Sequence, residues 1–194
     1  MINDLDLTLK KLLERSLPAS LIGQVSISFA PPDSQFPSSS VSPPAIDLFL
    51  YDIRENRELR NPEWTVERRS NGVMIKHPPL TRIDCSYLIT AWPRDGSSGP
   101  TMTSAEEEHY LLGEVMKVLL RYPTIPSGLL QGDLAGLEPP LPSTTLQPGR
   151  LQSLAEFWQA LGGQPKAAIN YTVTIGVAAQ ESVEAAPSVA EKQI

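Results

Sequence analysis

The sequence predicts an α+β fold: a mainly antiparallel, twisted sheet of about five or six strands, one long helix packed on one face, and shorter peripheral helices. Three observations predict it. Ile169, Tyr171, Val173, Ile175 and Val177 alternate with Asn170, Thr172, Thr174 and Gly176. A period of two is a strand with one face on a core. Residues Ala45 to Asn56 begin apolar on both faces, Ile46, Leu48 and Leu50 on one and Phe49, Tyr51 and Ile53 on the other; such a strand is usually central and covered twice. Ser104 to Arg121 carries a stripe of Leu111, Leu112, Val115, Met116 and Leu119. A Ser104–Glu107 capping box opens this long helix, and Pro123 and Pro126 end it.

The remaining elements follow in order. Asn3 to Ser16 reads as a first helix, with Leu5, Leu9, Leu12 and Leu13 on one stripe. Its acids come early and its bases late, as the helix dipole favours. Val25 to Phe29 is a short strand. Residues 30–44 (APPDSQFPSSSVSPP) are a loop. Trp64 to Ser70 and Val73 to Lys76 flank Asn71-Gly72, the strongest short hairpin signal because both turn residues need positive φ. Arg82 to Trp92 alternates again and is another antiparallel strand. Residues 93–102 form a Gly/Ser turn region, and residues 125–148, rich in Pro and Gly, form an irregular connection. Ser153 and Glu156 cap a short helix stopped by Gly162-Gly163, and Pro165 prevents its restart. Residues 1–180 form one domain, and residues 181–194 a flexible tail rich in Ala, Glu and Pro.

Composition narrows the function classes. The 194 residues leave room for a real core. A formal charge of −6 argues against a nucleic-acid surface, which needs clustered Lys and Arg. The single cysteine, Cys85, excludes an intramolecular disulfide and fits a reducing compartment. No apolar run approaches a membrane span, and the charged start MINDLDLTLKKLLERSL lacks the core of a secretory signal.

Few residues point to chemistry. Glu106, Glu107, Glu108 and His109 are the densest group of potential ligands. Glu106-x-x-His109 has the spacing of di-iron carboxylate bundles, but those need a second such motif and two further Glu. The plainer reading is an acidic first helical turn. Cys85 falls on the apolar face of its strand and reads as a buried structural residue, since a catalytic thiol needs a base and exposure. His77 precedes Pro-Pro in a turn and reads as a surface residue. Asp95-Gly96-Ser97-Ser98-Gly99 lacks the P-loop Lys and the Rossmann spacing. No cofactor is called for.

Interaction residues are the better lead. Arg54, Arg57, Arg60, Arg68 and Arg69, interleaved with Glu55, Glu58, Glu63 and Glu67, bracket the hairpin, and Trp64 lies among them. Mixed signs describe either a solvated face or an interface whose charges set register with a partner. Trp and Arg are the residues enriched in interface hot spots. Asn170, Thr172 and Thr174 present a polar strand face suited to packing and pairing.

At this point four segments carry a resemblance: DLFLYDIRENRELRN, PPLTRIDCSYLITAW, SAEEEHYLLGEVMKVLLRYPTIP and LAEFWQALGGQPKAAINYTVTIGV, in that order. Together they resemble the cap, or tail-terminator, family of extracellular contractile injection systems, phage-tail-like particles of the antifeeding-prophage type. The resemblance runs from the first helix to about Val177 and omits the 30–44 loop and the tail after Gln180. It implies a phage tail-terminator-like fold and a non-enzymatic role. In that role a hexameric ring of the chain sits on the distal end of the inner tube and contacts the last sheath layer. The implied partners are the inner-tube protein, the sheath protein and further copies of the chain, with no nucleic acid and no membrane insertion. Assembly would be cytoplasmic, and the chain particle-associated and released by lysis. The physical task of a terminator is to match the tube on one side and offer no template on the other, because a head-to-tail stack otherwise continues. The 169–178 strand, the 64–76 hairpin and the tail are the segments offered for strand pairing with a partner. Two other readings compete: an adaptor of the same particle, and a small metal- or ligand-binding domain in which Glu106, Glu108 and His109 converge.

Overall fold

A computed structural model describes residues 1–70, 73–94, 103–136, 141–148, 151 and 153–185. The helices are α1 (Ile2–Ser16), α2 (Ser104–Arg121) and α3 (Leu154–Leu161). The strands are β1 (Ser26–Ser28), β2 (Ala45–Glu55), β3 (Thr65–Arg68), β4 (Met74–His77), β5 (Thr81–Trp92), β6 (Thr124–Ile125), β7 (Leu141–Thr145), β8 (Ile169–Val177) and β9 (Val183–Ala185). Six strands form one sheet in the order β1-β2-β5-β8-β7-β6, and β3-β4-β9 form a second. Every pairing is antiparallel except β1 with β2.

The principal core lies between one face of the large sheet and two helices. Leu5, Leu9, Leu12 and Leu13 of α1 and Leu111, Val115, Val118 and Leu119 of α2 meet Ile46, Leu48, Tyr87, Ile89, Tyr171, Val173 and Ile175. Burying each such side chain contributes about 1.5–3 kcal/mol. α1 is therefore a full partner of α2 in the core rather than a peripheral helix. The Tyr87 hydroxyl ties it down further, donating to Asp6 Oδ1 at 2.8 Å. Burial, opposed by that bond, raises the Asp6 carboxyl above its ordinary range.

Thr8 joins α1 to the irregular connection after α2. It is fully buried, its hydroxyl donates to the Asp4 carbonyl at 2.7 Å, and it accepts the Gln131 N–H at 3.0 Å. Thr8→Val keeps the shape and orphans the Gln131 N–H. The expected cost is about 1–3 kcal/mol in urea unfolding; an unchanged midpoint would show that water takes over the bond.

The opposite sheet face is covered at one end only. Loop 30–44 brings Phe36 onto Trp92 (ring centroids 4.8 Å), and α3 brings Phe157 to 5.9 Å from Phe49. Phe36, Leu88 and Trp158 are buried there. The start of β2 is thus covered on both sides, as its apolar pattern predicts. Past that point the register shifts between Leu50 and Asp52. This bulge inserts Tyr51 and reverses the alternation. Asp52 then shares the face of Ser86, and Ile53 the face of Cys85. Ile53 is therefore not on the face of Phe49, as strict alternation assigns it.

Other departures have local causes. α2 is capped one residue earlier than expected: Thr103 Oγ1 accepts the Glu106 N–H at 3.3 Å, and Glu106 Oε2 accepts the Thr103 N–H at 2.7 Å. Residues 125–148 are not wholly irregular, since they hold β7, the end of β6 and two 3-10 turns, Ser127–Leu129 and Gly132–Gly136. Pro142 argues against a strand there, but its pairing with β8 begins only at Ser143. Residues 183–185 are not tail but strand β9 on β4. The Asn71-Gly72 turn and the Asp95–Gly99 loop lie outside the described residues.

Candidate interaction surface

The uncovered half of the second sheet face is polar because the strand alternation makes it so. Register aligns Asp52, Ser86, Thr172 and Thr144 across β2, β5, β8 and β7. Ser86 and Thr172 share a hydrogen bond of 3.0 Å, and the Tyr51 hydroxyl donates to Asn170 Oδ1 at 3.2 Å. Asp84 accepts the Thr174 hydroxyl at 2.6 Å and the Asn56 amide at 3.1 and 3.2 Å. All of these except Thr174, with Arg54, Arg57, Glu58 and Gln147, line a concave site of about 400 Å³. Carboxylates, guanidinium groups, hydroxyls and amides alternate along it, a pattern that suits hydrogen bonding to a protein surface better than enclosure of an apolar ligand.

At one end of this groove the small sheet β3-β4-β9 forms an arm. Its strands pack chiefly on one another, with Ile75 of β4 buried beneath them. Pairing places Val66, Lys76 and Val183 side by side, and Arg68 beside Met74. Because same-face residues are two apart, these share one face of the arm. Glu67, Ile75 and Glu184 share the other, together with Thr65 and His77. There His77 bridges the outer strands, with Nδ1 2.8 Å from Ser182 Oγ and Nε2 3.0 Å from Glu67 Oε2.

The residues singled out from the sequence divide between these two places. Arg57, Asn170 and Thr172 line the groove. Thr174 faces the same way but is buried, and its hydroxyl is held by Asp84. Arg60 folds back at the base of the arm, donating to Glu55 Oε1 through Nε and Nη2 at 2.8 and 2.6 Å. Arg68 lies on the Val66 face and Arg69 follows it, its N–H donating to the Val73 carbonyl at 2.9 Å. Trp64, 43% exposed, stands at the entry to β3. β8 pairs with β5 along its length and with β7 over 171–173, so among the described pairings only its 174–177 end keeps one side without a strand partner. The 64–76 hairpin keeps only its β3 edge, because β9 occupies the other. The sequence reading missed Tyr51, Asn56 and Asp84. The first depends on a bulge, the others on cross-strand bonds between distant segments.

The chemistry-bearing residues take other partners. Glu106 is engaged by the N–H and hydroxyl of Thr103, which hold its carboxyl below the ordinary range. Glu108 pairs with Lys166, whose ammonium also lies 4.7 Å above the Trp92 ring. Among the described residues no group of three His, Cys, Asp or Glu side chains is placed to hold a metal ion. Cys85 is fully buried, and burial pushes its thiol up to about 11, far from thiolate chemistry. No described helix is long and apolar enough to cross a membrane.

This architecture, a six-stranded sheet backed by two helices, with a polar groove and a basic arm, belongs to the class of tail-terminator folds. The family model described as the Pvc16 N-terminal domain matches residues 4–191, and the chain belongs to that family. Among solved structures it is similar to the PVC sheath/tube terminator of an extracellular contractile injection system in the extended state. That match has a TM-score of 0.65 and 25% identity, covering 100% of this chain and 64% of the other. It also shares its fold with the tube-terminating cap of the anti-feeding prophage, at TM-score 0.63 and 22% identity, covering 96% of this chain and 58% of that one. The chain thus spans less than two thirds of the length of either structure. No curated protein matches it.

Proposed function

We propose that the chain is a non-enzymatic terminator of a contractile injection particle. Copies of it form a hexameric ring on the distal end of the inner tube, contact the last sheath layer and stop further growth. Its partners are the inner-tube protein, the sheath protein and itself, and it assembles in the cytoplasm before the particle is released. The observation that carries this reading is the fold match to a sheath/tube terminator over the whole of this chain. The polar groove and the arm supply surfaces for such contacts, and Glu106 and Glu108 are engaged in structural bonds. Mechanistically, termination needs one face that repeats the tube's own contacts and another that offers none.

Removing the chain from the particle's assembly should give tubes and sheaths of irregular length or particles that fall apart. The check is a length distribution by negative-stain microscopy, with the purified protein added back. Particles of normal length and yield without the chain would defeat the proposal.

A further inference from the structure

We propose that the Val66–Lys76–Val183 face of the β3-β4-β9 arm docks on the acidic body of a second copy of this chain. The inference rests on the assembly reading above and names the partner of one surface. Four observations carry it. Val66 and Val183, each 49% exposed, flank Lys76 on the two outer strands, with Trp64 43% exposed at the entry to β3. Ile75 on the opposite face is buried, which anchors that side of the sheet, whereas the Val66–Val183 face stays open. Register separates the charges: Arg68 and Lys76 stand on the apolar face, Glu67 and Glu184 on the other. Among the described residues Arg68, Arg69 and Lys76 form no ion pair.

Charge selects the occupant. The Val66 face carries Arg68 and Lys76 and no acid, whereas the chain as a whole carries 16 basic and 22 acidic side chains. A face of the arm that carries Arg68, Lys76 and exposed valines complements the acidic remainder of another copy. Opposite charge steers the approach, and burial of Val66, Val183 and Trp64 holds the contact. The opposite face, with Glu67 and Glu184, would be repelled by the same surface.

Cys85 is buried, so a thiol placed on the arm can be labelled selectively. The full-length variants Val66→Cys and Thr65→Cys, one on each face, would carry a benzophenone maleimide and be irradiated across a range of protein concentrations. The expected result is a covalent dimer from Val66→Cys at least fivefold more abundant than from Thr65→Cys, mapping to acidic body peptides and weakened by 0.5 M salt, on the order of the screening at that strength. Equal yields from both faces, or no dimer from Val66→Cys, would overturn the inference. In parallel, Val66→Asp and Lys76→Glu should raise the concentration for self-association about tenfold without lowering the melting temperature, both sites being exposed; that loss corresponds to about 1.4 kcal/mol. Variants that still form rings and cap tubes would sink the arm contact and leave termination standing. A Val66→Cys chain that crosslinks through the arm, from a wild-type protein that ignores tube ends, would do the reverse.

Discussion

Asp47→Asn should make this protein more stable above neutral pH and flatten its stability between pH 4 and 7. Asp47 lies in β2 between Ser28 of β1 and Thr90 of β5, and all three are buried. Neither carboxyl oxygen completes a hydrogen bond among the described residues. The Ser28 hydroxyl and the Ala30 N–H lie near enough to favour the charged form slightly, but burial dominates and pushes the carboxyl up to about 7. The Ala30 N–H donates to Ser28 Oγ at 3.1 Å, so its share is already limited. The sign follows from linkage. Below pH ~4 both folded and unfolded chains hold the proton, and Asp47 costs nothing through ionisation. As the pH climbs to about 7, the unfolded chain releases the proton while the folded chain keeps it, and stability falls. Above that pH the loss levels off at about 4 kcal/mol. The amide in Asp47→Asn cannot ionise, but it brings two N–H donors into a site poor in acceptors, at about 1–3 kcal/mol. The expected net gain at pH 8 is therefore about 1–3 kcal/mol, with no gain or a small loss at pH 4.5. Urea unfolding of both proteins at pH 4.5, 6 and 8 decides it: parallel pH profiles would mean that Asp47 is solvated or paired.

Asp47 also shows where sequence reasoning stops. Its place in β2 was legible, because AIDLFLYDIREN is apolar on both sides of a strand period. That a carboxylate should sit in the doubly covered part was not, since alternation assigns faces and says nothing about what lies above them. The strands whose apolar residues alternate strictly, β5 and β8, were read almost to the residue, as were α1 and α2, whose leucines fall on single stripes. Elements that owe their existence to partners were missed. β9 is three residues long and has no apolar pattern; it is a strand because β4 offers an edge. β7 begins with Leu-Pro and is a strand because β8 has a free side. The groove suffered the same limit. Asn170 and Thr172 were visible as the polar half of a strand, but Asp84, Asn56 and Tyr51 reach them only through pairing across β5 and a bulge. The arm residues Arg68 and Trp64 were visible as charge and aromatic content. Their separation by face came from the pairing register, because Glu67 and Arg68 are adjacent in sequence and opposite in space.

Truncating Trp158 to Ala should cost about 3–5 kcal/mol, among the largest losses available to a single substitution outside the principal core. Trp158 is 1% exposed and is the largest fully buried side chain of the second sheet face. It stands edge-on to Phe157 at 5.6 Å, and a Cβ added at Gly163 would approach its ring to 3.2 Å and the Pro32 carbonyl to 3.1 Å. The indole thus fills the space between α3, its glycine stop and the start of loop 30–44, and no neighbour can collapse into the void without moving backbone. Yet its Nε1–H has no partner among the described residues, an opposing term of about 1–3 kcal/mol. Trp158→Phe discriminates the two contributions, since it keeps an aromatic ring and deletes the orphan donor. Its cost should be under about 2 kcal/mol, well below that of Trp158→Ala, because removal of the unsatisfied N–H offsets much of the lost volume. If Trp158→Phe proves as damaging as Trp158→Ala, the donor is satisfied in solution and packing volume alone sets the loss. Hydrogen exchange supplies the structural half of the test: Trp158→Ala should speed exchange in residues 30–37 and 154–163 while leaving β3, β4 and β9 unchanged. The arm pairs with no strand of the main sheet, so a defect beneath α3 should lower stability without altering self-association, and the converse holds for Val66→Asp.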